Sequence, residues 1–371
     1  MKNIGIYVHI PFCRKKCDYC DFISYCNKDE YIRQYIETLK KEIETELQKD
    51  KYNIKTIYIG GGTPSYINSK YILELLDTIN NNSYKIENAE ITIELNPGTV
   101  TEKKLEDYKK AGINRLSIGL QETHNNLLKQ IGRIHTYEEF LDTYNLAREL
   151  GFKNINVDLM IGLPNQRIQN IKENLEKIIK LNPEHISVYS LILEENTPLY
   201  EKYINKEIEL PSEELERNMY WYVKNTLEQN GYIHYEISNF AKTGYESKHN
   251  LDCWNQKEYL GFGLAAHSYI NGTRYSYEAD NKNKFEKLIK VVHEEQEIAD
   301  MQKEYMLLGL RKIKGVSIQE FKNKFGENPI FLFRNELNKL SKEKLILING
   351  DYIKLTNKGL DLANIVWEEF V

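Results

Sequence analysis

Three of the five cysteines in the 371-residue chain, Cys13, Cys17 and Cys20, fall within eight residues, directly after an apolar run at 4–8. A disulfide framework does not bunch thiols in this way. A structural zinc site takes four ligands, commonly as two separated pairs, and the remaining cysteines, Cys26 and Cys253, stand alone. Thiolates on short spacings hold iron–sulfur clusters. Three of them leave one iron of a [4Fe–4S] cluster without a protein partner, open to a substrate. Cys26, six residues past Cys20, reads as a spare thiol rather than a fourth ligand.

Such a loop must be held at the end of a scaffold. Short β-branched runs at 55–59, 90–94, 115–118, 155–158 and 186–189 alternate with helix-period segments. This order predicts an α/β chain with a parallel sheet, doubly wound or curled into a barrel, whose ligand site lies at the C-terminal strand ends. Those ends carry suitable groups. Gly60-Gly61-Gly62-Thr63-Pro64-Ser65 lets backbone approach a ligand closely, and Glu94, Gln121 and Asp158 end the strands that follow. Any one of these polar residues could cap the next helix. Together they predict one site.

The C-x3-C-x2-C loop, the segment Tyr7-Val8-His9-Ile10-Pro11-Phe12-Cys13 and the ordered strand-end residues resemble the radical S-adenosylmethionine superfamily over almost the whole chain. The resemblance implies a partial (β/α)6 TIM-like barrel with a [4Fe–4S] cluster on Cys13, Cys17 and Cys20. It places Gly61, Gly62 and Thr63 at the methionine amino group of S-adenosylmethionine. Glu94, Gln121, Arg133 and Asp158 match the positions that bind that cofactor, and Tyr7 matches an aromatic beside the cluster. The residue types suit these roles. Carboxylates and an amide can bond ribose hydroxyls and the ammonium, and Arg133 can hold a carboxylate through its planar fork. In that superfamily one electron from the cluster cleaves S-adenosylmethionine to methionine and a 5′-deoxyadenosyl radical.

The closest branch holds oxygen-independent coproporphyrinogen III oxidase and the HemW-type haem chaperones. Cys20 is followed by Asp21-Phe22, as in the chaperones, where the oxidase continues with Gly-Cys. The N-terminal extension usual in the oxidase is not expected with Cys13 so near Met1. His249-Asn250-Leu251-Asp252-Cys253-Trp254 resembles the chaperone signature His-Asn-x-x-Tyr-Trp, with Cys253 in place of the tyrosine. The resemblance makes His249 and Cys253 candidate haem ligands, a thiolate being itself a known type of axial ligand. Trp254 and Tyr259 are candidates to line a planar cofactor, with plain packing as the alternative. His9 could bond near the cluster or serve the fold. The function implied is a haem chaperone that binds a [4Fe–4S] cluster, S-adenosylmethionine and haem, and delivers haem to acceptor proteins, respiratory ones among them. The alternative is oxidative decarboxylation of coproporphyrinogen III to protoporphyrinogen IX.

From about residue 295 the pattern changes to short helices at 301–312, 317–324, 328–343 and 358–368. A hairpin at 345–355 turns on Asn349-Gly350-Asp351. This predicts a mainly helical, winged-helix-like unit. The expected division is 1–210 for the barrel, 211–295 for a connecting segment with the His-Asn-x-x-Cys-Trp signature, and 296–371 for the C-terminal domain. Residues 301–371 carry an excess of only three positive charges and the whole chain a net charge of −5, so nucleic acid is not an expected partner. The balance of 41% apolar and 28% charged residues excludes a disordered chain. No run approaches the roughly 18 apolar residues of a membrane span, and the stretch at 4–10 lacks the flanks of a signal peptide. A cytoplasmic protein is expected, and a homodimer is compatible with the chain.

Overall fold

The computed structural model describes residues 2–279 and 285–371. Its first half alternates strand and helix: β1 (Lys2–Ile10), α1 (Ile32–Leu47), β2 (Tyr52–Gly61), α2 (Ser69–Asn82), β3 (Lys85–Leu95), α3 (Glu102–Lys110), β4 (Arg115–Gln121), α4 (Asn125–Gln130), α5 (Tyr137–Glu149), β5 (Ile155–Ile161), α6 (Ile168–Leu181) and β6 (His185–Ser190). The six strands pair in parallel and in chain order. β1 and β6 do not pair with each other, so the barrel stays open. This is the partial (β/α)6 barrel expected from the sequence.

The strand pattern explains the two faces. On β1, Ile4, Ile6, Val8 and Ile10 are fully buried on one side, against the apolar stripe of α1 formed by Tyr35, Ile36, Leu39 and Ile43. Each such aliphatic side chain contributes about 1.5–3 kcal/mol on burial. The alternate residues Tyr7 and His9 take the opposite face, in register with Tyr58 and Gly60 of β2. The same period of two puts Glu90, Thr92 and Glu94 on one side of β3, and Asn156 and Asp158 on one side of β5. Caps fix the helix starts. Thr101 accepts from Lys104 N before α3, and Thr136 and Glu139 form a capping box at α5.

Past the barrel come α7 (Pro198–Ile204), α8 (Glu213–Gln229), β7 (Ile233–Glu236), β8 (Asn239–Ala241), α9 (Lys248–Trp254), β9 (Tyr259–Phe262), β10 (His267–Ile270), β11 (Thr273–Ala279) and β12 (Leu288–Glu295). The segment 211–295 therefore does more than connect. β8 and β7 extend the sheet beyond β6, while β9, parallel to β1, begins an extension that continues through β10, β11 and β12. Several of these strands are three or four residues long, too short for periodicity to reveal.

The C-terminal unit comprises α10 (Ile298–Gly309), β13 (Val316–Ser317), α11 (Ile318–Phe325), α12 (Pro329–Leu332), α13 (Arg334–Lys342), β14 (Ile346–Asn349), β15 (Tyr352–Leu355), α14 (Asn357–Asp361) and α15 (Ala363–Glu368). It has a separate three-stranded sheet and its own core around Phe321, Leu337, Leu340, Ile353 and Val366. Two helices expected as single pieces are broken, at Phe333 and Leu362, where ψ is +38° and +35°. Among the described residues no helix is long and apolar enough to cross a membrane.

Candidate cofactor site

The cysteine loop leaves the C-terminal end of β1 and is pinned at its ends. Phe12 is buried edge-on against Tyr35 and Phe285. Cys13 N donates to Tyr25 O at 3.0 Å and Tyr25 N to Pro11 O at 2.7 Å, closing the loop on itself. His9 Nε2 lies 2.9 Å from Ile23 O, which can only accept. Nε2 therefore carries the proton, and Nδ1 accepts from the Tyr7 hydroxyl at 3.0 Å. Farther out, Asp18 N donates to Ile131 O at 3.0 Å and the Asp18 carboxylate pairs with Lys202 at 2.6 Å. The backbone thus holds Cys13 buried and Cys17 and Cys20 partly buried, with Cys20 N donating to Cys17 O at 3.2 Å. Burial pushes the Cys13 thiol up, and the Cys20 thiol up to about 11. A cation is what would hold such thiols as thiolates at neutral pH.

Two of the sulfurs are joined by an arch of hydrogen bonds from the strand ends. Thr63 Oγ1 lies 3.5 Å from Cys13 Sγ and accepts from Asn96 Nδ2 at 2.9 Å. Asn96 Oδ1 accepts from Arg133 Nη2 at 2.9 Å, and Arg133 Nη1 donates to Cys17 Sγ at 3.4 Å. Arg133 also donates to Gly119 O, while its buried Nε has no partner. The glycine turn fits beneath. Gly61 has φ +119°, and its N donates to Glu94 Oε2 at 3.1 Å. A Cβ on Gly62 would stand 2.8 Å from Cys13 Sγ.

Glu94 also accepts from the Tyr58 hydroxyl at 2.9 Å, and burial pushes its carboxyl up to about 7. Asp158 is held by Asn156 Nδ2 at 2.7 Å and Ser117 Oγ at 3.4 Å, and burial raises it too. Gln121 has φ +73° at a β-bulge, a strained conformation of the kind found at functional sites. Its Nε2 would lie 3.1 Å from a Cβ on Gly119, as would Asn96 Oδ1. Tyr7 stacks on Tyr58 with centroids 6.2 Å apart.

Tyr7, Gly61, Gly62, Thr63, Glu94, Arg133, Cys13 and Cys17 are thus linked through direct contacts and through Tyr58, His9 and Asn96, with Gln121 against the same strand end. Asp158 faces the same interior one strand further on. Asn96, Tyr58, Asn156 and Ser117 were not singled out from the sequence, although Asn96 stands two residues past Glu94 and Asn156 two before Asp158, the period of one strand face. Among the described residues no three such side chains converge on one point for a single metal ion. A cluster spreads its ligands over separate irons, which suits three thiols on one loop. The residues fit a cluster and a zwitterionic ligand on three counts: the buried carboxylates Glu94 and Asp158 suit its cationic end, the unpartnered Arg133 Nε suits a carboxylate, and the bare Gly62 leaves room against a sulfur. A groove of about 510 Å³ opens beside the loop, lined by Arg14, Lys15, Pro97, Thr99, Ile134 and His135 and not by the linked site residues themselves.

The two candidate haem ligands lie on α9. His249, on α9, is buried inside the barrel, with Nδ1 2.8 Å from Thr56 Oγ1 and its ring 5.3 Å from that of Tyr58. Its backbone N and that of Lys248 donate to Glu90 at 3.2 Å. Burial, aided by Arg115, lowers its pKa to about 4. Cys253 sits one turn on, near Tyr259 and Arg274, its thiol pushed up to about 12 by burial and by Asp252. Trp254 packs its ring against the Arg311 guanidinium at 4.4 Å, and Trp367 meets the same cation at 4.8 Å. The signature tryptophan therefore joins α9 to the C-terminal unit.

Residues 7–223 match the radical SAM superfamily model and residues 299–362 the HemN C-terminal domain model. The chain is 38% identical to the heme chaperone HemW of Bacillus subtilis (strain 168), over 98% of this chain and 98% of the relative. It is 37% identical to that of Lactococcus lactis subsp. lactis (strain IL1403), over 100% and 98%. To that of Escherichia coli (strain K12) it is 37% identical over 72% and 70%. Among solved structures, the coproporphyrinogen III oxidase (HemN) of Escherichia coli superposes with a TM-score of 0.84 at 23% identity, over 100% of this chain and 90% of that one. At that identity the likeness shows the fold.

Proposed function

We propose, for a chain that belongs to the radical SAM superfamily and to the HemW family within it, that it is a haem chaperone: it binds haem and hands it to acceptor proteins. One observation carries this reading, the identity of 37–38% along essentially the whole chain to relatives named as heme chaperones. A [4Fe–4S] cluster on Cys13, Cys17 and Cys20 supplies one-electron chemistry toward S-adenosylmethionine.

The chain's own residues prepare that site. Thr63 and Arg133 donate to two of the sulfurs. Arg133, anchored by Asn96 and Gly119 O, presents a fixed positive charge beside the loop. Glu94 and Asp158 offer carboxylates whose burial is offset when a sulfonium or ammonium arrives. Gly61 and Gly62 keep the floor of the turn bare, and Gln121 supplies an amide at the next strand end. His249 and Cys253 are the residues we assign to haem, acting in the cytoplasm toward acceptors that include respiratory haem proteins.

The test is haem transfer. Anaerobically reconstituted protein should retain haem through gel filtration and pass it to an apo haem protein. With reductant, S-adenosylmethionine and coproporphyrinogen III it should give no porphyrin product by chromatography. Sustained formation of protoporphyrinogen would make it an oxidase and overturn the reading.

A further inference from the structure

Below the strand ends the barrel interior holds a chain of hydrogen bonds that the cofactor site alone does not require. Asn156 lies two residues before Asp158 on β5 and makes four bonds. Its Nδ2 donates to Asp158 Oδ1 at 2.7 Å and to Ser117 Oγ at 2.8 Å. Its Oδ1 accepts from His185 Nδ1 at 2.6 Å and from Ser187 Oγ at 3.1 Å. Those partners use both donors and both lone pairs, so the amide has one orientation. The His185 tautomer follows. Nδ1 carries the proton because Asn156 Oδ1 can only accept, and Nε2 then accepts from the Tyr235 hydroxyl at 2.7 Å. The Tyr235 oxygen in turn accepts from Ser247 N at 3.3 Å. Ser247 is the N-cap of α9, the helix that carries His249, Cys253 and Trp254.

The chain therefore runs with one polarity from Ser247 through Tyr235, His185 and Asn156 to Asp158. His185 and Ser247 are 0% exposed and Asn156 is 2% exposed, so water does not substitute for a missing link. Each bond in such a dry chain polarises the next, and an unmade one is costly.

We infer that Asn156 and His185 are positioning residues: they fix the Asp158 carboxylate toward S-adenosylmethionine and tie its placement to α9. The inference rests on the reading of Asp158 as part of that cofactor's site. Asn156 bonds the Asp158 carboxylate directly, and His185 reaches it only through Asn156. By linkage, whatever shifts the start of α9 changes the affinity at Asp158, and the reverse holds equally.

Three substitutions in cluster-loaded protein test this, read by the dissociation constant for S-adenosylmethionine, by iron content and by melting temperature. His185→Phe removes the donor to Asn156 and should weaken binding roughly tenfold, the loss of one buried bond in a charged chain. His185→Asn keeps a donor at the Nδ1 position and should stay within about threefold of wild type. Tyr235→Phe, three hydrogen bonds from Asp158, removes only a hydroxyl and should weaken binding about threefold with iron content unchanged. An unchanged constant in His185→Phe, or in Tyr235→Phe where the former does not fold, would overturn the inference. So would equal losses in His185→Phe and His185→Asn at equal melting temperatures, because a donor to Asn156 would then make no difference. Wild-type protein that loads its cluster yet binds no S-adenosylmethionine would refute the cofactor-site reading, and the inference with it.

Discussion

Gly62→Ala is the sharpest perturbation the site offers, because the added carbon points at a sulfur. The new Cβ would stand 2.8 Å from Cys13 Sγ, 3.1 Å from Phe12 O and 3.2 Å from Ile10 O. The Ile10 carbonyl cannot easily retreat, since it ends β1 and accepts from Gly62 N at 2.9 Å. A carbon–sulfur contact is comfortable no closer than about 3.5 Å, so the sulfur must move by roughly 0.7 Å. That exceeds the roughly 0.5 Å within which a metal or catalytic constellation must be held. Without iron the Cys13 side chain can turn aside, and the apoprotein should melt within a few degrees of wild type, as expected for about 1 kcal/mol of overpacking. With iron the strain falls on the bond to Cys13. A loss of about 1.4 kcal/mol is tenfold in the cluster-binding constant. After anaerobic reconstitution, iron and sulfide per chain should therefore yield to roughly tenfold less chelator than in wild type. Cys26→Ala, tested in parallel, should hold its iron as wild type does. A Gly62→Ala cluster as chelator-resistant as wild type, or loss of the cluster in Cys26→Ala, refutes the assignment of Cys13, Cys17 and Cys20.

Arg133→Met keeps the length of the side chain but leaves Gly119 O and Asn96 Oδ1 without their donor, which should cost the apoprotein about 1–3 kcal/mol. In cluster-loaded protein it should weaken S-adenosylmethionine binding at least about tenfold by calorimetric titration; an unchanged constant counts against the arginine. His249 has a folded pKa of about 4, below its unfolded value, so the unfolded chain binds the extra proton and stability rises with pH between about 4 and 6.5. That contribution, about 3 kcal/mol at most, is lost as pH falls through the window, and denaturant melts of His249→Asn should show a flatter slope than wild type. Equal slopes would contradict the buried neutral imidazole. Arg311→Ala removes the cation between Trp254 and Trp367 and should cost about 1–2 kcal/mol, with faster proteolysis between barrel and C-terminal unit. Unchanged tryptophan fluorescence and cleavage would rule out that junction.

The cluster loop and the strand-end residues were legible because their chemistry forces local patterns. Three thiols on one loop need short spacing, and strands with one face on the helices and one on a polar interior need alternation such as Ile155-Asn156-Val157-Asp158. The partners were not legible. Asn96 reaches Thr63 from 33 residues away and Arg133 from 37, distances over which no spacing rule operates. The short strands β7, β8, β9 and β10 escaped for another reason: at three or four residues each, they have too few positions for alternation to show. Trp254 illustrates a third limit. An aromatic residue in a cofactor signature suggests a flat ligand, but here its face is taken by Arg311, 57 residues later in the chain.

The placement of α9 sets a condition on haem binding. An axial histidine must offer an unprotonated nitrogen to iron, and His249 has Nδ1 on Thr56 and its ring against Tyr58 inside the barrel. Ligation through Nδ1 therefore requires the start of α9 to leave the barrel, breaking the Thr56 bond and the two backbone bonds to Glu90, whereas ligation through Nε2 would leave them in place. Three such bonds are together about 2–4 kcal/mol, a sum that burial of an apolar macrocycle can exceed. The amides of Lys248 and His249 report this directly, because Glu90 protects both. On haem binding their hydrogen exchange should accelerate at least about tenfold, while Ala241 and Phe240 on the neighbouring β8 stay protected. Haem bound with no acceleration at these two amides would mean that His249 remains in the barrel and that the iron is held through Nε2 or by another group.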